Sequence, residues 1–286
     1  MIMAKAKTNL RNWVFGLPAL LLVLLFIVVP YLNIVVMSFR NTSMSAPYAP
    51  GFTFDNYTRV LGDLYYLVLL RDTLFFALLT TVLCFVLAFP VAFHLARTKS
   101  RFQGLLYAGV LSPLLTGVVI RCFGWIVLLS NNGIVNQLLA YGGLGPYRLM
   151  YNHTGVTIAL VHVFLPFMIL PIMNSVQAID PRLEEAARTL GASRTSVFRR
   201  VLLPLTLPGI QSGVILVFVL SASAYVIPLL LGQGQVQTVP TIVVQQLLGS
   251  FLWPFGAALA LTLSVSVLFL VSTFALSTIR SMRRLA

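Results

Sequence analysis

Residues 180–204 read DPRLEEAARTLGASRTSVFRRVLLP, the one long polar interruption in the second half of an apolar chain. The stretch holds both glutamates of the protein, Glu184 and Glu185, and five arginines: Arg182, Arg188, Arg194, Arg199 and Arg200. Charge at this density does not lie in hydrocarbon. Asp180 followed by Pro181 is a strong helix start, with the carboxylate as N-cap and the proline at the first helical position. Glu184 and Glu185 then occupy the early turns, where the helix dipole favours negative charge. Leu183, Ala186, Ala187 and Leu190 recur at three- and four-residue spacing and give the helix one apolar face. Gly191 ends it, Ser193 caps a second helix, and that helix is expected to run through Val197 and Val201 to Pro204. The segment is therefore a helix–turn–helix at a membrane surface. Its apolar face suits either a groove on another protein or the lipid headgroups.

The rest of the chain supplies the membrane frame. Of 286 residues, 59% are hydrophobic and 9% charged, against about 45–50% and about 25% in soluble domains. A net charge of +13 would point to nucleic acid in a soluble protein. Here the basic residues sit in short loops beside apolar runs, which is a topology signal and excludes nucleic acid as the expected partner. Cys84 and Cys122 lie inside apolar runs with no metal or redox spacing. Residues 1–12 carry Lys5, Lys7 and Arg11. The apolar run that follows is far longer than the roughly 7–15 residues of a signal peptide, so it reads as an uncleaved first transmembrane helix.

Six runs are long enough to cross the bilayer as helices: 13–38, 73–96, 105–129, 155–178, 205–231 and 255–279. None alternates with period two, so a β-barrel is excluded and the expected fold is an all-α membrane protein. The organisation is a tail (1–12), a first helix (13–38), a polar loop (39–72) and a core of five helices (73–286). With the N-terminus inside, fourteen basic residues fall on inner segments. Four (Arg40, Arg59, Arg71 and Arg148) fall outside, and Arg121 is left within helix three. Both termini are thus expected in the cytoplasm.

In the first outer loop, FTFDNYTRVL (52–61) predicts a short helix capped by Asp55 or Asn56, with Tyr57, Tyr65 and Tyr66 at headgroup level. Residues 131–153 are rich in turn formers. The uncharged segment 232–253 predicts a re-entrant or interfacial helix over 241–251 that lines a pore or gate. Pro90, Pro113, Pro166, Pro171, Pro208 and Pro228 favour kinks in the spans, and Gly209, Ser212 and Gly213 allow close helix approach. His162 reads as a hydrogen-bonded core histidine and His94 as interfacial. Arg121 is either a snorkelling anchor or a pathway residue. Arg121, Tyr225, Gln245 and Gln246 are the candidate pathway or gate residues.

No Walker A pattern, H-E-x-x-H, G-x-S-x-G or Cys/His cluster occurs, so the chain is not expected to cradle a nucleotide, hold a metal or catalyse a reaction. No acid lies inside a span, as ion-driven pumps require. The energy for transport is expected to come from a partner. A self-contained channel or ion-coupled carrier, and a membrane scaffold, are the other classes.

One motif discriminates among these. Glu185-Ala186-Ala187, then Gly191, then after nine residues Val201-Leu202-Leu203-Pro204, resembles the E-A-A-x-x-x-G…I-x-L-P signature of the membrane subunits of ABC importers, with valine in place of isoleucine. The resemblance implies a type I importer permease fold with kinked helices and a cytoplasmic coupling helix pair over 180–204. It implies that Glu185, Ala186, Ala187, Gly191, Leu203 and Pro204 serve ATPase coupling, with Glu185 pairing with a basic group on the ATPase and Gly191 permitting the turn. FTFDNYTRVL, LVHVFLPFMILP (160–171) and WPFGAA (253–258) look like the spermidine/putrescine importer permeases of the first-permease type. That resemblance implies a bacterial inner-membrane location, two copies of an ATP-binding subunit that holds the ATP and magnesium, a second homologous permease and a periplasmic solute-binding protein. The implied solute is a polyamine, or another small polar solute such as an opine, phosphonate, thiamine or iron(III).

Overall fold

The structure is a computed structural model that describes residues 17–18, 21–43, 46–98 and 100–283. The expectations for residues 1–16, Lys99 and Arg284 lie outside these residues. Six helices are long and apolar enough to cross a membrane, as the run lengths predict, and the chain divides into two compact units.

The first unit comprises Met1–Asp63 and Val243–Thr262. Helix α1 (Leu21–Ser38) is apolar on every side, and only 6% of its apolar window is buried. A short antiparallel pair, β1 (Arg40–Asn41) and β2 (Ala49–Phe52), follows, an element that the polar loop composition did not predict. Arg40 covers it by stacking 4.3 Å above the Phe52 ring. Helix α2 (Asp55–Gly62) forms where FTFDNYTRVL places it, but Phe54 is the N-cap residue and contributes no side-chain bond. The Thr53 hydroxyl accepts from Asp55 N–H instead, at 3.1 Å. Asn56 is withdrawn from capping because it is buried, donating to the carbonyls of Ser38 and Arg40, both at 2.9 Å.

The second unit comprises Leu64–Ile242 and Leu263–Ala286. Helix α3 (Leu64–Arg97) has 34 residues, about 51 Å, and begins nine residues before the expected span, so the loop 39–72 is shorter than its polarity indicates. Arg71 and Asp72 look like an interface boundary. They pair with each other at 2.8 Å on the helix surface and let it continue.

The third span does not lie at 105–129: that run is broken into α4 (Gln103–Leu115) and α5 (Val118–Leu129), and the stretch long enough to cross is Val118–Tyr141. Pro113 has no N–H to give Gly109, whose carbonyl accepts from the Ser112 hydroxyl at 3.3 Å, and the chain turns extended at Thr116. Helix α6 (Ile134–Tyr141) occupies part of the turn-rich segment. Helix α7 (His153–Gln177) is the centre of the unit, with 61% of its apolar window buried. Small buried residues of α3 (Ala77, Thr81, Cys84, Ala88 and Ala92) line up along one side, and Cys84 Sγ donates to Val161 O of α7 at 3.5 Å.

Helix α8 (Pro181–Thr189) and helix α9 (Arg194–Ala222) follow. The second helix of the pair does not stop at Pro204. A π-turn over Phe198–Leu202 shifts the bonding pattern one residue ahead of the proline and carries the rod straight into the fifth span. That span does not run to 231. It ends at Ala222 and restarts as α10 (Val226–Gly232), because Pro228 lacks the N–H that a continuous helix would give to Ala224. Helix α11 (Val239–Gly249) covers most of the expected 241–251 helix, starting earlier. Val239 N–H is fixed by the buried Thr73 hydroxyl of α3 at 2.9 Å. Helix α12 (Trp253–Arg283) closes the chain.

Candidate functional site

The polar segment is built as its residues dictate. Asp180 accepts from Arg182 N–H at 2.9 Å and Pro181 is the first helical residue. At the far end Gly191 adopts φ +83°. Gly191 N–H bonds to Arg188 O at 2.9 Å and Ala192 N–H to Ala187 O at 3.1 Å, the double closure of a Schellman turn that needs a left-handed residue. The Ser193 hydroxyl accepts from Ser196 N–H at 3.3 Å and starts α9.

The surface of α8 has no buried residue. Leu183 is 48% exposed and Leu190 88%, so the apolar face that the spacing predicts is present and uncovered. Ala186 and Glu185 share this exposure, and Glu185 has no ion pair among the described residues. Leu203 and Pro204 sit apart from that face. Half-buried Leu203 packs against the core of the second unit, and half-buried Pro204 lies in the first turn of the fifth span. Their place is to join the segment to its span.

Sequence reasoning missed what holds α8. Arg97, the last residue of α3, reaches Glu184 with Nη2 at 2.8 Å from Oε1, and its Nη1 donates to Ile179 O at 3.0 Å. No spacing rule links residues this far apart. The only signal was that Arg97 lay on the same inner side as the loop.

Two of the four pathway candidates meet. Arg121, in the first turn of α5, and Tyr225, immediately before α10, line one cavity of about 290 Å³ with Val118, Phe164 and Phe167. Two helix breaks therefore open onto the same space. Nε and Nη1 of Arg121 are buried there without a hydrogen-bond partner, while the residue as a whole is half-buried. Gln245 and Gln246 lie on α11 in the other compact unit. Gln245 is exposed, and Gln246 keeps a buried Oε1 without a partner. His162 accepts from Trp125 Nε1 at 3.2 Å, the hydrogen bond expected of it, but it is half-buried rather than in the core. Among the described residues no group of three or more His, Cys, Asp or Glu side chains is arranged to hold a metal.

The family of binding-protein-dependent transport system inner membrane components matches residues 147–281, which include the whole polar segment. The chain is 37% identical over 243 residues to the spermidine/putrescine transport system permease protein PotB of Escherichia coli, covering 84% of this chain and 88% of that protein. It is 35% identical over 251 residues to PotB of Haemophilus influenzae, covering 87% of each. It is also 35% identical over 179 residues to the molybdenum transport system permease protein ModB of Azotobacter vinelandii, covering 63% of this chain and 78% of that protein. Among solved structures, a bacterial ABC transporter that imports the acidic polysaccharide alginate has the same fold, with a TM-score of 0.78 at 19% identity over 94% of this chain and 96% of that one. The MetNI methionine ABC transporter aligns with a TM-score of 0.54 at 18% identity over 77% and 95%. With the exposed E-A-A helix, the Schellman turn at Gly191 and the six apolar spans, these likenesses place the protein: the chain belongs to the binding-protein-dependent transport system inner membrane components, the multi-pass permease subunits of ABC importers.

Proposed function

We propose that this chain is a permease of a polyamine importer, taking up spermidine- or putrescine-like solutes as half of a two-permease pathway. The observation that carries the reading is the 37% identity to a spermidine/putrescine permease over 84% of the chain. The chain itself binds no nucleotide and catalyses no reaction. ATP and magnesium belong to two copies of an ATPase subunit that dock on α8, where Glu185 meets a basic group. A periplasmic binding protein delivers the solute, and both termini face the cytoplasm, as the distribution of basic residues favours.

One feature favours a second reading. The guanidinium of Arg121, with Nε and Nη1 buried without a partner in the 290 Å³ cavity, has the sign that attracts an anion and repels a polyamine. The test that separates the two uses the assembled importer in proteoliposomes with its binding protein, measuring labelled spermidine uptake against excess putrescine or excess molybdate. Competition by putrescine alone supports polyamine import. Competition by molybdate, or no spermidine uptake with full ATPase activity, overturns it in favour of an anionic solute. In the same vesicles Glu185→Lys is expected to lower uptake at least tenfold while the permease stays in the membrane. Uptake at the wild-type rate would remove Glu185 from the docking contact.

A further inference from the structure

Ile179 and Asp180 form the joint between the central helix α7 and α8. The joint is held from outside its own chain segment. Arg97 donates through Nη1 to the backbone carbonyl of Ile179 at 3.0 Å, and places Nη2 at 2.8 Å from Glu184 Oε1, in the first turn of α8. The fork therefore spans the joint, one arm on its backbone and one on the helix beyond it. A guanidinium is suited to this because it is planar, always charged and presents several donors in fixed geometry. Both side chains are mostly shielded, at 20% and 14% exposure. Arg97 Nε and Nη2 and Glu184 Oε1 are buried without a hydrogen-bond partner among the described residues, so their 2.8 Å contact is an ion pair of close charges rather than an aligned hydrogen bond. Arg97 also ends α3, where the helix dipole favours a cation. The remaining charges of α8 (Arg182, Glu185 and Arg188) are exposed and offer Glu184 no comparable partner.

We infer that Arg97 is a positioning residue for energy coupling: it clips the α7–α8 joint and the first turn of α8 to the end of α3, so that α8 and the α3–α7 pair move as one body. Without the clip, α8 pivots at Ile179–Asp180 and a displacement of the docked ATPase is lost in the pivot. The inference rests on α8 being the docking segment. It adds that Glu184 and Glu185, adjacent in sequence, have different duties, Glu184 facing inward to the permease and Glu185 outward to the ATPase.

The test uses the assembled transporter in proteoliposomes with wild-type permease, Arg97→Gln, Glu184→Gln, the double variant and Arg97→Lys. Solute uptake and ATP hydrolysis are measured on the same vesicles, together with the amount of ATPase retained. Each single glutamine variant is expected to raise ATP consumed per solute at least fivefold with the ATPase still bound. The double variant is expected to be no worse than either single one, since both remove the same clip. Arg97→Lys is expected to fall between wild type and Arg97→Gln. If Arg97→Gln does not accumulate in the membrane, Glu184→Gln and Arg97→Lys carry the comparison.

An unchanged ATP-per-solute ratio, with only the amount of assembled transporter reduced, overturns the inference and leaves a purely structural ion pair. Losses that multiply in the double variant overturn it as well. Glu185→Lys separates the two levels. If it leaves coupling intact, Glu185 is removed from the docking contact and its outward duty falls, while the clip stands or falls on the Arg97 and Glu184 variants; if it uncouples and Arg97→Gln does not, only the clip falls.

Discussion

Glu184 lies 2.8 Å from Arg97 while Glu185, one residue on, is exposed, so helix phase gives two adjacent carboxylates opposite surroundings. The motif made Glu185 legible in the sequence. The partner of Glu184 was not legible, because an ion pair between the end of one helix and the start of another leaves no local pattern. Gly191 was legible for a physical reason: a Schellman turn needs φ > 0, and only glycine takes it without strain. A Cβ at Gly191 would meet no atom within 4 Å, so Gly191→Ala should cost only the backbone term, about 1 kcal/mol. It should appear as faster protease cleavage between α8 and α9 at unchanged permease level; an unchanged cleavage rate would mean that the turn tolerates the side chain. The Trp125–His162 bond joins two side chains that the sequence could not pair. Trp125→Phe is expected to leave His162 Nδ1 without its donor and to lower stability by about 1 kcal/mol, read as a lower unfolding temperature in detergent. An unchanged temperature would mean that water replaces the indole.

At the scale of elements, the tightest approach of two helices marked by a glycine is that of α7 and α9. A Cβ on Gly209 would lie 2.4 Å from Ser175 Cβ and 2.5 Å from Pro171 O, whereas at Gly213 the nearest atom is Met168 Sδ at 2.8 Å. A helix carbonyl cannot step aside, but a methionine side chain swings. Gly209→Ala is therefore expected to destabilise by about 1–3 kcal/mol and Gly213→Ala by less, measured as the monodisperse fraction recovered after heating. The reverse order would mean that the helices do not meet at Gly209. The glycines announced close approach in the sequence, but not which helix they approach. Helix ends were the least legible feature. Prolines at 90, 166 and 171 are absorbed within unbroken helices. Pro113 and Pro228 sit beside true breaks, because there the chain also has an extended or irregular residue to turn on, at Thr116 and at Ser223–Tyr225.

For the whole molecule, the number of spans followed from run length alone, since each hydrophobic stretch must match the bilayer. The proposed orientation rests on the basic residues, and a reporter enzyme fused after Ala286 is expected to be active in the cytoplasm and silent in the periplasm. The opposite result would invert the topology and remove α8 from reach of an ATPase. What the sequence did not reveal is how far the polar segment extends. Arg194–Ala222 is one rod of 29 residues, about 44 Å long, whose first turn begins beside Gly191 and whose last turn is followed at once by Tyr225 and the Arg121 cavity. With an ATPase docked on α8, as proposed, such a rod would act as a torsion shaft between its arginine end and the break at Ser223–Tyr225. Linkage makes the shaft work in both directions. Whatever free energy the nucleotide state of a docked ATPase adds to or removes from solute affinity at the cavity, an occupant of the cavity must impose in equal measure on the ATPase.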